Sequence, residues 1–582
     1  MNQAEIAKIL DDIGTMLEVK GENPFKTRAY HNASRTIGSL NEDLASLVEQ
    51  KELTKLDGVG QAIAEKITEL FTTGKLKFYE DLKKSMPKGI EEMIRIQGLG
   101  PKKIKVLFEQ LKIQTVDDLK KAAEGHRLAS IAGFGKKTEE NILKGIEQLK
   151  QHADKHLFDE AEEAANNILT MLRKVKGVRK CEAAGSLRRC KEVIGDIDIL
   201  ASANAKDVKS IMSAFVAHPD VARILGQGET KSSVMLASGI QCDLRIVEEQ
   251  NYPFALAYFT GSKEHNVQLR SLALRNGWSM NEYEFSKVTG GGSKKKSKPV
   301  PRCTSEAEIH ASLGLEYIPP ELRESMGEID AAAAGKLPVL VEESDIKGTF
   351  HCHTTYSDGN HSLEEMAHAA RDLSWQYIGI ADHSKIAAYA GGLSEAKVKQ
   401  QHAEIDKLNK GFKNFRIFKG TEVDILPDGT LDWSDKVLAR FDFVVASIHS
   451  KFTMTEEEAT KRLIRALKNK YVTMLGHPTG RVLLRRDGYP VKMTEVIKAT
   501  VEYGKIIEIN AHPSRLDMDW RVGKFASEQG MITSINPDAH STQGLRDVRY
   551  GVNIARKAWF SKEQVLNTRT LAGIEKYLSG RK

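Results

Sequence analysis

Two carboxylates, Asp196 and Asp198, lie two residues apart in the β-branched run IGDIDIL (194–200). A strand sends alternate side chains to one face, so both point the same way. Like charges held so close repel unless a cation lies between them. Asp243 stands in the same relation to Arg245 in QCDLRIV (241–247), the expected neighbouring strand. Three converging carboxylates suit a pair of Mg²⁺ ions for in-line displacement at phosphorus. Upstream, GSLRR (185–189) offers Gly185 and Ser186 as a turn with N–H and hydroxyl donors. Arg188 and Arg189 add guanidinium forks for phosphate.

A second set of donors opens with His351 and His353 in TFHCHTT, whose spacing puts both imidazoles on one strand face. Asp358 follows in a Ser-Asp-Gly turn, then Asp382-His383, Glu422, His449, His477, Asp538 and His540. Nearly all end an apolar run, where a barrel's strands would present them to one mouth. Neutral imidazole favours Zn²⁺, Mn²⁺ or Fe. Such a cluster can activate water and stabilise both oxygens of a phosphoester under hydrolysis. The chain thus reads as holding two metal-dependent phosphoryl-transfer centres, one making phosphodiester bonds and one breaking phosphoesters. His361, His368, His402 and His512 fall outside the pattern and read as structural or surface residues.

The elements that must position these residues follow from composition and periodicity. A chain of 582 residues is too long for one core. Hydrophobic content of 41% and charged content of 28% fit a globular protein. No stretch approaches the roughly 20 apolar residues of a membrane helix, and the acidic start MNQAEIAKILDDIG is unlike a signal peptide. The five cysteines form no CxxC pair and read as reduced thiols of a cytoplasmic protein. A net charge of +7 is too small to make the chain a polycation, so nucleic-acid contacts must come from local charge. Residues 1–150 look all-helical. An apolar residue, Gly-x-Gly and a helix start recur three times, in LDGVGQAIAEKI (56–67), IQGLGPKKIKVL (96–107) and IAGFGKKTEENI (131–142). Glycine allows the tight turn, and the following helix N-terminus suits a phosphate. Residues 155–250 turn α/β. The Gly-Lys loop TGGGSKKKSKPVPR (289–302) reads as solvated linker or, alternatively, as a DNA contact. From 349 onward, six apolar runs separated by helices predict a barrel-like α/β domain.

The three Gly-x-Gly units resemble helix-hairpin-helix DNA-binding units, which implies Gly58, Gly60, Gly98, Gly100, Gly133 and Gly135 as backbone-gripping positions. GSLRR with GDIDIL, DLRIV and YFTGSKEHNVQLR (258–270) resembles the palm and thumb of a family X DNA polymerase, the group that includes DNA polymerase beta. The resemblance covers residues 1 to about 320. It implies that Asp196, Asp198 and Asp243 hold two Mg²⁺ or Mn²⁺ ions. It implies Gly185, Ser186 and Arg189 for the triphosphate, Tyr258, Phe259 and Gly261 for the sugar, Asn266 for the base and Arg270 for the template strand. NPFKTRAY (23–30) and GVGQAIAEKI resemble that family's 5′-phosphate-binding domain, with Lys66 at the Schiff-base lysine of a deoxyribose-phosphate lyase. Ala62 departs from an expected phosphate-binding lysine, and Cys190 from a usual glycine. The series HxH…SDG…DHS…E…H…GHP…DAH is similar to the PHP (polymerase and histidinol phosphatase) domain. That implies His351, His353, Asp358, His383, Glu422, His449, His477, Asp538 and His540 as ligands of up to three Zn²⁺, Mn²⁺ or Fe ions, with Asp382 orienting its neighbour.

These readings together predict a multidomain α+β and α/β chain. Its parts are a helical lyase-like domain (1–85), a helix-hairpin-helix fingers-type domain (86–152), a nucleotidyltransferase palm (153–250), a thumb (251–325), a linker (326–346) and a distorted (β/α) barrel PHP domain (347–582). The expected activity is gap-filling DNA repair synthesis with 3′→5′ exonuclease. The expected partners are gapped or primer-template DNA and deoxynucleoside triphosphates, and the expected state is a monomer in the bacterial cytoplasm with no membrane contact. One rival reading is a non-catalytic DNA-repair scaffold, which would need missing ligands; the other is a small-molecule PHP phosphatase tethered to a DNA-binding module. The intact palm triad argues against it.

Overall fold

The computed structural model describes the chain except residues 2, 39, 41–43, 57, 95, 97–98, 132, 289–298, 388–389 and 581–582. Gly98 and most of the Gly-Lys loop therefore lie outside the described residues. Residues 3–151 fold as helices around one apolar core running from Ile6 to Ile146. Each Gly-x-Gly unit delivers its second glycine to a helix N-cap. Gly60, Gly100 and Gly135 share nearly one conformation, with φ of −77°, −77° and −80° and ψ of 167°, 168° and 170°. The helices they start are Gln61–Thr73, Pro101–Leu111 and Lys136–Gln151.

The next region is a five-stranded sheet in the order Lys180–Ala183, Asp196–Ser202, Gln241–Val247, Lys231–Leu236 and Val221–Gln227. The central pair is parallel, and its register sets Asp198 opposite Asp243 and Asp196 opposite Gln241. Val221–Gln227 is an edge strand that the apolar pattern missed. Most of its residues are exposed, including Ile224 and Leu225, so it shows no buried face to read. Residues 254–340 build a smaller core around Phe254, Trp278, Phe285 and Ile309.

The C-terminal region is a seven-stranded parallel sheet in strict chain order, from Gly348–Cys352 to Thr533–Asn536. The chain just beyond the last strand returns to the first. Cys352 bridges Ala539, and the His353 N–H donates to the Ala539 carbonyl at 2.8 Å. The sheet is thus a nearly closed barrel. Its strands are buried on both faces, so they read as continuous apolar runs instead of alternating ones. Phe350, Tyr377, Phe418, Phe443, Met474 and Ile506 form an aromatic-rich plug. Two glycines make room for it. A Cβ on Gly420 would stand 2.1 Å from the Phe443 ring, and one on Gly379 2.5 Å from Phe350.

Gly420→Ala should therefore destabilise the barrel by about 1–3 kcal/mol through overpacking. Thermal melting of the full chain checks this, with Phe443→Leu in the same chain expected to recover part of the loss. An unshifted melting curve for the single variant would refute the plug's tight packing.

Candidate functional site

The palm-side site is built on the two central strands. Asp196, Asp198 and Asp243 share one face because the first two are two residues apart and the third is in parallel register. Burial, then the neighbouring charges of Asp196 and Asp243, push Asp198 up to about 6. Burial opposes the charge of Asp243 as well. There the hydrogen bonds from Lys231, Gln241 and Ser233 outweigh it and hold the carboxyl below its usual value. The Lys231 ammonium sits 2.6 Å from Asp243. Sequence reading missed Lys231, because a lysine at the start of an edge-side strand carries no local signal. Gly185 has φ +60°, and a Cβ there would lie 2.3 Å from an Asp198 oxygen, so only glycine lets the turn approach that carboxylate. Phe259 lines the same cleft as Asp198 and Asp243, with Arg245 4.5 Å over its ring.

Tyr258 meets Phe259 edge-on at 5.2 Å, and Asn266 donates to the Tyr258 carbonyl at 2.7 Å. Gly261 follows with φ +69° at a cis peptide bond to Ser262. Arg270 is exposed on helix Lys263–Arg275. Both arginines of GSLRR are engaged by protein. Arg188 makes a bidentate pair with Glu306, at 3.0 and 2.7 Å. Arg189 donates to Glu324 at 3.0 Å and to the Thr260 carbonyl at 2.5 Å. Cys190 has φ +52° and its thiol is pushed up to about 12 by burial. In the helical region, Lys66 donates to the Ala62 carbonyl at 2.9 Å and lies 5.2 Å over the Phe78 ring. The Gly60, Gly100 and Gly135 caps have no side-chain cap bond, and a Cβ at each would meet nothing within 4 Å. These helix N-termini are open to a phosphate.

The barrel mouth gathers the second set. All nine predicted residues fall into overlapping groups whose donor atoms lie within 4.8 Å of one another. Glu422 is the centre. One of its oxygens lies 3.2 Å from His351 Nε2, 3.2 Å from His449 Nε2 and 3.0 Å from His477 Nε2. The other lies 2.9 Å from His383 Nδ1. Asp538 is 3.2 Å from His353 Nε2, and Asp358 is 3.4 Å from His540 Nε2. His351 Nε2, both ring nitrogens of His353 and His477 Nδ1 are buried without a hydrogen bond. Buried donors aimed at shared carboxylates fit metal ligation by soft nitrogen and hard oxygen together. Burial disfavours charge on every imidazole here. The carboxylates outweigh it for His449, lifted to about 10 by Glu422 and Asp424, and for His540, lifted to about 9 beside Asp358 and Asp538. His353 drops to about 3, through burial and then the neighbouring imidazoles.

The residues that hold these ligands were less visible. Glu508, fully buried in the strand Ile506–Asn510, accepts from His351 Nδ1 at 2.6 Å, from the His477 N–H and from Asn510 and Asn536. Asp424 faces His449 Nδ1 at 3.2 Å. Arg515 Nε lies 3.8 Å from Asp538 at the edge of the cluster. Asp382, expected to orient His383, takes its hydrogen bonds elsewhere. It accepts from Thr354 N–H and Oγ1, Ser357 Oγ and Gln401 Nε2, and so ties down the turn that carries Asp358.

Sequence models of four known families match parts of the chain. A helix-hairpin-helix domain matches residues 1–76 and a SAM-like helix-hairpin-helix tandem 90–148. The DNA polymerase beta thumb matches 255–324 and the PHP domain 349–512. The chain is 39% identical over 581 residues to the DNA polymerase/3′-5′ exonuclease PolX of Bacillus subtilis (strain 168), covering 99% of each protein. It is 29% identical over 243 residues to a probable phosphatase of Thermoanaerobacter sp. (strain X514), 40% of this chain and 94% of that protein. A probable phosphatase of Caldicellulosiruptor bescii is 31% identical over 199 residues, 33% of this chain and 78% of its own length. No helix among the described residues is long and apolar enough to cross a membrane.

His351→Ala combined with His353→Ala should collapse metal retention at the barrel mouth, because the remaining donors sit on other strands and cannot re-form the shell. Metal content per chain by mass spectrometry reads this directly. Wild-type metal content in the folded double variant would rule these residues out as ligands.

Proposed function

The chain belongs to the bacterial family X DNA polymerases that carry a C-terminal PHP domain, and on that premise we propose how its two centres divide the work. It is a DNA-directed DNA polymerase with 3′→5′ exonuclease activity, suited to filling short gaps in DNA. The observation that carries this reading is the presence in one chain of a full donor set at each centre. The two probable phosphatases match only 40% and 33% of the chain, and a tethered phosphatase leaves the palm carboxylates without a role.

In the palm (153–250), Asp196, Asp198 and Asp243 hold two Mg²⁺ or Mn²⁺ ions. Bound there, the ions supply charge stabilisation for the attacking 3′-hydroxyl and the departing pyrophosphate. Gly185 and Ser186 present donors to the triphosphate, and Arg189 turns from Glu324 toward it. Phe259 and Tyr258, with the Gly261 turn, pack on the sugar, and Asn266 reaches the base. Arg270 on the thumb (251–325) follows the template strand. The helical regions (1–85 and 86–152) grip the DNA backbone with the helix starts at Gly58–Gly60, Gly100 and Gly133–Gly135, without reading sequence. In the PHP region (347–582), joined through 326–346, the nine ligands hold up to three ions, of Zn²⁺, Mn²⁺ or Fe. Bound there, the ions supply an activated water and a clamp on the phosphate. Glu508, Asp424 and Asp382 keep the ligands and their loops in place, and Arg515 stands where it can meet the DNA phosphate. The protein acts as a monomer on cytoplasmic DNA.

Lys66 is the candidate amine for a deoxyribose-phosphate lyase step. Borohydride should trap the wild type, and not Lys66→Ala, on a 5′-deoxyribose-phosphate end. Absence of an adduct with the wild type would mean that Ala62 has cost the chain this activity.

Asp243→Ala should lower nucleotide addition by about a thousandfold or more, since several kcal/mol of charge stabilisation are lost, and should leave 3′-end trimming intact. A labelled primer on a gapped duplex, with and without nucleotides, measures both at once. Extension near the wild-type rate would overturn the assignment of the palm triad.

A further inference from the structure

The seam between the PHP region and the rest of the chain has one polarity. Arg521 pairs with Glu192 at 2.6 Å, Arg549 with Glu162 at 2.8 Å, Arg556 with Glu321 at 2.7 Å and Lys557 with Glu324 at 2.6 Å. In each of these pairs the PHP region supplies the cation and the polymerase part the anion. Lys557 differs from the others in burial. Its side chain is 0% exposed, whereas that of Arg521 is 51% exposed. A buried ammonium needs every donor satisfied, and this one has three acceptors. They are Glu324 Oε1, the Arg189 carbonyl at 2.9 Å and the Glu321 carbonyl at 3.3 Å. The Trp520 ring lies 4.5 Å away on another side.

The acceptor shared by these contacts matters most. Glu324 Oε1 receives both Lys557 Nζ and Arg189 Nε. Arg189 also donates to the carbonyl of Thr260, the residue before the Gly261 turn. One cation from the PHP region therefore touches the main chain of Arg189 and competes for the carboxylate that holds its side chain. A buried ion pair is a poor device for stability alone, because desolvation offsets most of the attraction. Its value here is placement.

We propose that Lys557 is a positioning residue for nucleotide addition: by sharing Glu324 it loosens that carboxylate's hold on Arg189 and pins the Arg189 carbonyl, leaving the guanidinium available to the incoming triphosphate. This rests on the reading of Arg189 as a triphosphate ligand. It makes the nuclease part of the chain a determinant of nucleotide affinity in the polymerase part. Removing Lys557 leaves the full Glu324 charge facing Arg189, so the guanidinium is held more tightly by protein. Replacing Glu324 by glutamine as well removes that charge and leaves the Thr260 carbonyl as the other acceptor of Arg189.

The test uses full-length protein on a gapped duplex. KM and kcat for nucleotide addition are measured for Lys557→Met, Lys557→Arg, Arg189→Ala and the pair Lys557→Met with Glu324→Gln. Trimming of a single-stranded 3′ end and thermal melting are followed alongside. Lys557→Met should raise the nucleotide KM about tenfold, a coupling typical of contacting charges, with kcat and trimming within about twofold of wild type. Lys557→Arg should stay near wild type. The paired variant should bring KM back down, a recovery that lost packing would not produce. The proposal is overturned if Arg189→Ala raises KM while Lys557→Met does not. It is also overturned if Lys557→Met lowers kcat, trimming and melting temperature together and the paired variant does not recover. If Arg189→Ala itself leaves KM unchanged, the triphosphate reading of Arg189 is at fault, and the proposal falls with it.

Discussion

Glu422 is 1% exposed, with imidazoles of three different strands or strand ends around one oxygen and a fourth at the other. A carboxylate so buried persists only if positive charge or a metal matches it, and the C-terminal region is organised to bring that match to one point. Parallel strands in chain order all end at the same mouth, and six of the seven bring a ligand there, from within the strand or just past it. The aromatic plug below keeps the strands apart at a fixed distance. Between plug and ligands, Glu508 takes four hydrogen bonds and sets which nitrogen of His351 faces Glu422. The ligand cage is therefore a consequence of the barrel and cannot be assembled from fewer strands.

The palm site meets the same problem of crowded carboxylates with different means. It lies on an open sheet, with Asp196 exposed, Asp198 half-buried and Asp243 buried, and a lysine from the adjacent strand stands beside Asp243. Oxygen donors without imidazole suit small hard cations. A nitrogen-rich cage suits softer ones. The difference in donor chemistry lets one chain keep two metal-dependent reactions apart. The shared seam of ion pairs, with Trp520 Nε1 donating to Glu192 at 2.8 Å, fixes the two parts against each other.

Much of the site was legible because its signals are local. The two-residue spacing of Asp196 and Asp198, or of His351 and His353, gives a shared strand face without knowledge of anything distant. The repeated Gly-x-Gly predicted helix starts, and the three caps observed have almost one conformation. The apolar runs separated by helices after residue 349 pointed to a barrel-like α/β domain. Glu508 escaped notice because a single acid in KIIEINA looks no different from a solvated one until Asn510, Asn536 and His351 close around it.

The sequence by itself determined the donor types, their faces and the helix starts, since these depend on neighbours within a turn or a pleat. Tertiary structure decided partners. Asp382 serves Thr354 and Ser357 and not the histidine beside it, because the barrel brings the first strand's loop over its carboxylate. Arg189 meets Glu324 and shares it with Lys557, which is 368 residues away from Arg189. No periodicity encodes such pairs. They exist because burial strips water from charges that chain folding has already made neighbours, and each must then find its counter-charge among whatever the packing places within reach.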